Sequence, residues 1–377
     1  MARSLIAGLF VVGGAVAAQE LPRGQLLERV VARGNDRQSY ALYLPSNYTP
    51  DRTWPILYCL DPGARGRVPV ERFSVAAEKA GFIVAGSNNS RNGPFAPVEE
   101  AIRVLVTDTH ARLAIDDSRV FAAGMSGGAR VALQWAQNGG IAGVVASSAG
   151  FSEMPKQIPF KIFATAGFDD FNHDELYRLS RELAKRGVPH RFTEFEGGHE
   201  WLPAPLAAQA LDYFMGRLPP QAADASKELD KQATKYDRLQ QDIANASAPE
   251  RASILRGLQK DAAKPADSAD RRVARRVIGG VFVGAMETNR EMMAEHKYAA
   301  AANVCEDAVL ARPENAGAWY TLAVAQAASG NKRRALEALQ KAAANGFRDT
   351  ARIEQEPLFA PLRDNARYRT ILESLPK

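Results

Sequence analysis

The chain has 377 residues, 46% of them hydrophobic, with 48 Lys and Arg against 43 Asp and Glu. That length suits two domains, or one domain with an appendage. A charge balance this close to neutral gives no reason to expect nucleic acid as a partner, and two cysteines form neither a disulfide framework nor a metal cluster.

Met1 to Gln19 differs in character from the rest of the chain. Arg3 gives a short positive start, Leu5 to Val16 is apolar, and Ala15-Val16-Ala17-Ala18 offers small residues for cleavage. This is the pattern of a secretory signal peptide over residues 1–18, too short to span a membrane with its flanks. Its removal takes Arg3 and no acid, leaving 47 basic against 43 acidic side chains, a net +4. The expectation is an exported protein, periplasmic or extracellular, without a stable membrane anchor. Export permits disulfides, but Cys59 lies in an apolar strand and reads as a buried thiol, while Cys305 belongs to a different region.

Residues 20–218 read as one domain. Leu26–Val31 and Ser39–Leu44 flank Gly34-Asn35-Asp36 as a hairpin. Trp54–Leu60 is a continuous apolar run, as for a central strand buried on both faces. A helix over Val70–Ala80, a strand over Gly81–Ser87 and a helix over Val98–Ala114 come next. Arg119–Ala123, Ile141–Ala146, Phe160–Ala166 and Arg191–Phe195 read as strands; Ala129–Gln137, Asp174–Arg186 and Pro205–Arg217 read as helices. Strands alternating with helices predict an α/β fold with a doubly wound, mostly parallel sheet.

Gly124-Met125-Ser126-Gly127-Gly128 joins one such strand to one such helix. The pattern G-x-S-x-G at a strand-to-helix turn is a nucleophile elbow, with the serine hydroxyl above the sheet and small neighbours allowing close approach. Gly127 then offers its N–H to a reacting carbonyl oxygen. A base must come from a loop at the carboxyl ends of the strands. Of five histidines, His199 in Glu196-Gly197-Gly198-His199-Glu200-Trp201 has that position. His110, His190 and His296 read as packing or surface residues, and His173 is a lesser rival. The acid is expected after the strand ending at Ala166, in Gly167-Phe168-Asp169-Asp170-Phe171-Asn172. Asp170 is favoured and Asp169 remains an alternative. The order Ser126, Asp170, His199 is that of α/β-hydrolases. A second oxyanion donor is expected from Leu60-Asp61-Pro62-Gly63-Ala64-Arg65-Gly66. Pro62 has no N–H, which leaves Gly63 or Ala64. Asp61 is expected to bind the loop backbone, and Arg65 and Arg67 to be solvated.

Tyr40–Pro45 followed by Trp54-Pro55-Ile56-Leu57, Ile115-Asp116-Asp117-Ser118-Arg119-Val120 leading into the elbow, and Gly197-Gly198-His199-Glu200-Trp201 together resemble secreted esterases of the α/β-hydrolase superfamily. Within that superfamily they resemble polyhydroxybutyrate depolymerases and feruloyl or acetylxylan esterases. The resemblance covers about residues 38 to 216 and departs from the usual His-Gly pair at Asp61-Pro62. It implies a serine hydrolase cleaving a small-molecule or polymer ester, needing no cofactor and no metal. The same triad cleaves amides, so a serine peptidase of the same fold stays open. So does a non-catalytic hydrolase-fold protein that binds through its tail.

Residues 219–283 read as helical linker without chemistry, with a capping box at Ser247-Ala248-Pro249-Glu250. Over residues 284–377 a spacing recurs: Ala301, Cys305, Ala308 and Pro313 are followed 34 residues later by Ala335, Leu339, Ala342 and Phe347. With Trp319, Leu322, Ala323 and Gly330, this is similar to a pair of tetratricopeptide repeats. Two units bury little core alone, so they are expected to pack on the linker or the hydrolase. Their expected role is to hold a protein partner or guard the active-site mouth.

Overall fold

The computed structural model describes residues 21–221 and 226–375. The expected signal peptide lies outside the described residues. Eight strands form one sheet in the order β1-β2-β4-β3-β5-β6-β7-β8. β1 (Leu26–Ala32) and β2 (Asn35–Tyr43) form a hairpin, and β2 runs antiparallel to β4 (Ile83–Ser87). β3 (Trp54–Leu60), β4, β5 (Ile115–Met125), β6 (Gly143–Ser147), β7 (Lys161–Gly167) and β8 (His190–Phe195) are parallel to their neighbours. All seven residues of β3 are buried. Pro55 is tolerated in this central strand because the β3–β5 register breaks between Trp54 and Ile56, where no ladder bond is asked of it.

Helices cover both faces. α1 (Arg67–Ala80) and α5 (Ala204–Phe214) pack on one, where Phe73, Phe121, Phe163 and Phe214 are buried. α2 (Phe95–Arg112), α3 (Gly127–Gln137) and α4 (His173–Lys185) pack on the other, around Leu105, Leu133 and Leu176. Each fully buried side chain of that size contributes about 1.5–3 kcal/mol.

Two boundaries differ from expectation for local reasons. The hairpin turns on Arg33-Gly34 alone, because Gly34 adopts φ +75° and Asn35 is free to pair with Ala32. α2 starts at Phe95, since Pro97 falls in its first turn, where a missing N–H leaves no helix bond unmade.

The tail is all helical. α6 (Lys227–Asn245), α7 (Ala248–Ala262) and α8 (Ala269–Ala294) share a core of Ile243, Leu255, Leu258, Val273 and Val277. Glu250 accepts from the backbone N–H of Ser247 at 2.8 Å, closing the expected capping box. α9 (Tyr298–Ala311), α10 (Ala316–Ala328) and α11 (Lys332–Ala344) come after it. Ala301, Cys305, Ala308, Ala335, Leu339 and Ala342 are all fully buried where these helices meet. The boundary expected between residues 283 and 284 falls inside α8. One continuous helix belongs both to the supposed linker and to the repeats, so the two pack as one helical body. Among the described residues, no helix is long and apolar enough to cross a membrane.

Candidate active site

Ser126 sits between β5 and α3 with φ 54° and ψ −124°, a conformation that L-residues rarely adopt. The crossing of strand and helix explains the flanking glycines. A Cβ on Gly124 would lie 2.1 Å from the carbonyl oxygen of Gly128, and one on Gly128 would lie 2.0 Å from that of Leu60. Only hydrogen fits at either place.

His199 stands on the loop between β8 and α5. Ser148 Oγ donates to Glu200 O at 2.9 Å, Leu202 N to Ser147 Oγ at 3.0 Å and Trp201 Nε1 to Asp61 Oδ2 at 2.8 Å, which tie this loop to the strand ends. His199 Nε2 lies 2.8 Å from Ser126 Oγ, and His199 Nδ1 lies 2.8 Å from Asp170 Oδ1. Asp170 is fully buried, and the same Oδ1 accepts the backbone N–H of Asn172 at 2.9 Å. Phe171 stacks on the imidazole at 4.0 Å between ring centroids and limits its tilt. With Nδ1 protonated and donating to Asp170, Nε2 is left as the acceptor for the serine proton.

The adjacent aspartate points away. Asp169 Oδ2 accepts from Arg275 at 2.8 Å and stands 3.6 Å from Arg271. The other histidines are engaged elsewhere: His173 with Glu194 at 2.6 Å, His190 with Ser180 at 3.0 Å, His110 with Asp117 at 3.1 Å and His296 with Tyr298 at 2.6 Å.

The loop after β3 differs from expectation. Gly63 N donates to Asp61 Oδ1 at 2.8 Å, and Ala64 N donates to Asp61 O at 3.1 Å. Neither Gly63 nor Ala64 therefore presents a spare N–H to an oxyanion. The cause is Asp61, which folds the loop around its own carboxylate, accepting also from Arg65 Nε at 2.8 Å and Arg65 Nη2 at 3.0 Å. Burial pushes the Asp61 carboxyl up, but bonds from Arg65, Trp201 and Gly63 outweigh it and hold the group below its ordinary value. Arg65 and Arg67 are ion-paired, with Asp61 and with Glu28 and Glu71, rather than simply solvated.

Gly127 opens α3, where its N–H has no intrahelical acceptor. The side-chain amide of Asn92 lies against it: a Cβ on Gly127 would come within 2.0 Å of Asn92 Oδ1 and 3.1 Å of Nδ2. Both residues line a cleft of about 500 Å³ with Ser126 and His199. Phe95, Val98 and Val131 form apolar wall, and α8 contributes Val283 and Glu287. Across His199 and Phe171 a second hollow opens, lined by Phe282, Arg275 and Arg312 and again by Val283. Sequence reading missed Asn92, Val283 and Glu287. Asn92 is one of several polar residues in a loop, and nothing in a helical segment far along the chain signals that two of its side chains face the cleft.

Residues 292–355 match the sequence profile of the tetratricopeptide repeat. No curated protein matches the sequence. Among solved structures, the chain is similar to a ferulic acid esterase at 17% identity, over 50% of this chain and 97% of that one, with a TM-score of 0.43. It is similar to the S-formylglutathione hydrolase FrmB of Staphylococcus aureus at 17% identity, over 52% and 98%, with a TM-score of 0.40. A hyperthermophilic esterase from the archaeon Pyrobaculum calidifontis gives 14% identity over 52% and 87%, with a TM-score of 0.40. The structure neighbours are thus esterases and serine hydrolases over about half of this chain. The chain itself is an α/β domain on a mostly parallel sheet, followed by an all-α region matching the tetratricopeptide repeat.

Proposed function

We propose that the protein is an exported serine hydrolase that cleaves carboxylic esters through an acyl-enzyme intermediate. One observation carries the reading: Ser126 Oγ, His199 and Asp170 Oδ1 are joined by two consecutive 2.8 Å hydrogen bonds beside an open cleft. Ser126 attacks the ester carbonyl while His199 Nε2 takes its proton. Asp170 holds the imidazole tautomer and stabilises the imidazolium that forms. The tetrahedral oxyanion accepts from Gly127 N–H and, in place of the Gly63 and Ala64 amides, from Asn92 Nδ2, with the amide turned so that Nδ2 rather than Oδ1 faces the reacting carbonyl. His199 then gives the proton to the leaving alcohol, and water repeats the cycle on the acyl-enzyme.

The substrate is a small-molecule or polymer ester, with apolar surface at Phe95, Val98, Val131 and Val283 to cover its acyl part. The helical repeats hold a protein partner. Export rests on the Met1–Gln19 pattern. The test is turnover of p-nitrophenyl acetate, hydroxycinnamoyl and hydroxyalkanoate esters, and of matching amides, by wild type and Ser126→Ala. At least one ester is expected to be cleaved faster than its amide, with Ser126→Ala losing about 10⁶ in kcat while staying folded. Equal turnover by the two proteins would contradict the reading.

A further inference from the structure

Arg271, Arg272, Arg275 and Arg276 have an R-R-x-x-R-R spacing on α8. At 3.6 residues per turn, that spacing makes a broad stripe of two neighbouring rows, Arg271 with Arg275 and Arg272 with Arg276. The stripe meets the turn between β7 and α4. Arg275 and Arg271 face Asp169 at 2.8 and 3.6 Å. The Arg272 guanidinium lies over the Phe168 ring, 3.9 Å from its centroid. Arg276 Nε donates to Phe168 O at 2.8 Å, and its Nη1 stands 3.5 Å from Asp174 Oδ1. One turn on, α8 meets Phe171 at Gly279, where an added Cβ would stand 3.4 Å from the Phe171 Cβ. α8 therefore grips Phe168, Asp169, Phe171 and Asp174, while Asp170, in their midst, faces His199.

Arg276 is unlike the other three arginines. It is fully buried, as is nearly all of Asp174. Burial pushes its guanidinium down from the ordinary value, and the charges of Asp174 and Glu194 oppose this. Both terminal nitrogens of Arg276 and both carboxylate oxygens of Asp174 lack a hydrogen-bond partner. A buried ion pair so incompletely satisfied is a poor source of stability, and the best-attested use of such pairs is to fix one arrangement. The arrangement here is the acid turn, held at Phe168 where β7 ends and at Asp174 where α4 begins.

Resting on the hydrolase reading, we propose that Arg276 is a positioning residue for Asp170, and that the helical tail thereby completes the active site. The turn carrying Asp170 is tied to its neighbours by Phe168 N to Phe195 O at 2.9 Å, Asp169 N to Gly197 O at 3.0 Å and Asn172 Nδ2 to Ser148 O at 2.8 Å, and α8 closes its remaining side. The Asp170 N–H donates to Gly167 O at 3.0 Å, and its Oδ1 accepts from Asn172 within the same turn, so its carboxylate goes where the turn goes. A drift of 1 Å would stretch the 2.8 Å bond to His199 past hydrogen-bond length. Misplacements of that size cost about 10²-fold in rate.

The test uses the full chain. Arg276→Met is expected to lower kcat about 10²-fold with KM changed less than about threefold. In an Asp170→Ala background the same substitution is expected to cost less than about threefold, because the residue through which it acts is gone. Should Arg276→Met fold poorly with Asp174 left unpaired, Arg276→Met with Asp174→Asn removes both charges. That pair still loses the bond to Phe168 O and keeps the kcat loss. A readout independent of turnover is the far-downfield NMR resonance of the His199 Nδ1 proton in ¹⁵N-histidine protein. It is expected in wild type and absent in Asp170→Ala, Arg276→Met and the paired variant. If wild type cleaves no ester but the resonance still depends on Arg276, the hydrolase reading falls and the positioning role stands. An unchanged resonance in folded Arg276→Met, or an equal kcat loss with and without Asp170, overturns the proposal.

Discussion

Replacing Asp170 with Asn is expected to cost less than truncating it to Ala, because one oxygen does both of its jobs. Oδ1 accepts from His199 Nδ1 at 2.8 Å and from Asn172 N at 2.9 Å, while Oδ2 is buried without a partner. An asparagine can put its carbonyl oxygen where Oδ1 was and its NH₂ where Oδ2 was. His199 Nδ1 then still donates, and the productive tautomer survives. What is lost is the charge facing the imidazolium. Unit charges 4 Å apart at an effective dielectric of 20 interact by about 4 kcal/mol. At about 1.36 kcal/mol per decade this is roughly 10³ in kcat. Asp170→Ala removes the acceptor as well, so the loss should reach roughly 3 × 10⁴, the scale seen when a triad acid is removed. Asp169→Asn, which disturbs only the contacts to Arg271 and Arg275, should stay within about tenfold of wild type. The assay is kcat on p-nitrophenyl acetate for the three variants, with circular dichroism to verify folding. Asn and Ala variants equally impaired would refute the shared-oxygen argument. An Asp169→Asn loss exceeding that of Asp170→Asn would move the acid to Asp169.

Three other outcomes are expected. Asn92→Ala should lower kcat about 10²–10³-fold with little change in KM, the cost of one oxyanion donor; steady-state kinetics giving unchanged kcat would remove Asn92 from that role. Val283→Trp should fill the cleft from the α8 side and cut kcat/KM for a long-chain ester at least about tenfold more than for an acetate ester, and equal effects would mean that the acyl chain lies elsewhere. Asp270 is held at about 2 by its bond to Lys235, with Lys264 adding to it. Its carboxyl is thus lower in the folded state than the unfolded value of about 3.9, so the contribution is full above about pH 4 and disappears as pH falls through about 2. The gap in thermal unfolding between wild type and Asp270→Asn should therefore narrow from pH 5 to pH 2, and a constant gap would contradict this.

How far the sequence could be read depends on the range of the interactions. β3 was legible because a strand buried on both faces reads as an unbroken apolar run. The neighbourhood of Ser126, Asp170 and His199 was legible because each stands where a strand ends, and parallel strands bring those ends to one edge. Asp170 was favoured but Asp169 stayed open, since the arginines that claim Asp169 lie about a hundred residues away. The Gly63 and Ala64 amides looked free because spacing does not reveal that Asp61 turns back on its own loop. The R-R-x-x-R-R spacing carried no signal in the sequence, because on a solvated helix it would mean nothing. Only packing against the acid turn, with Arg276 fully buried, gives it a role.

The most direct test of the central claim is labelling with a fluorophosphonate probe, followed by peptide mass mapping. A hydroxyl activated by His199 should take one phosphonyl group per chain on Ser126. Labelling should be abolished in Ser126→Ala and slowed by orders of magnitude in His199→Ala. Folded wild-type protein that took no label, or took it on another serine, would contradict the account.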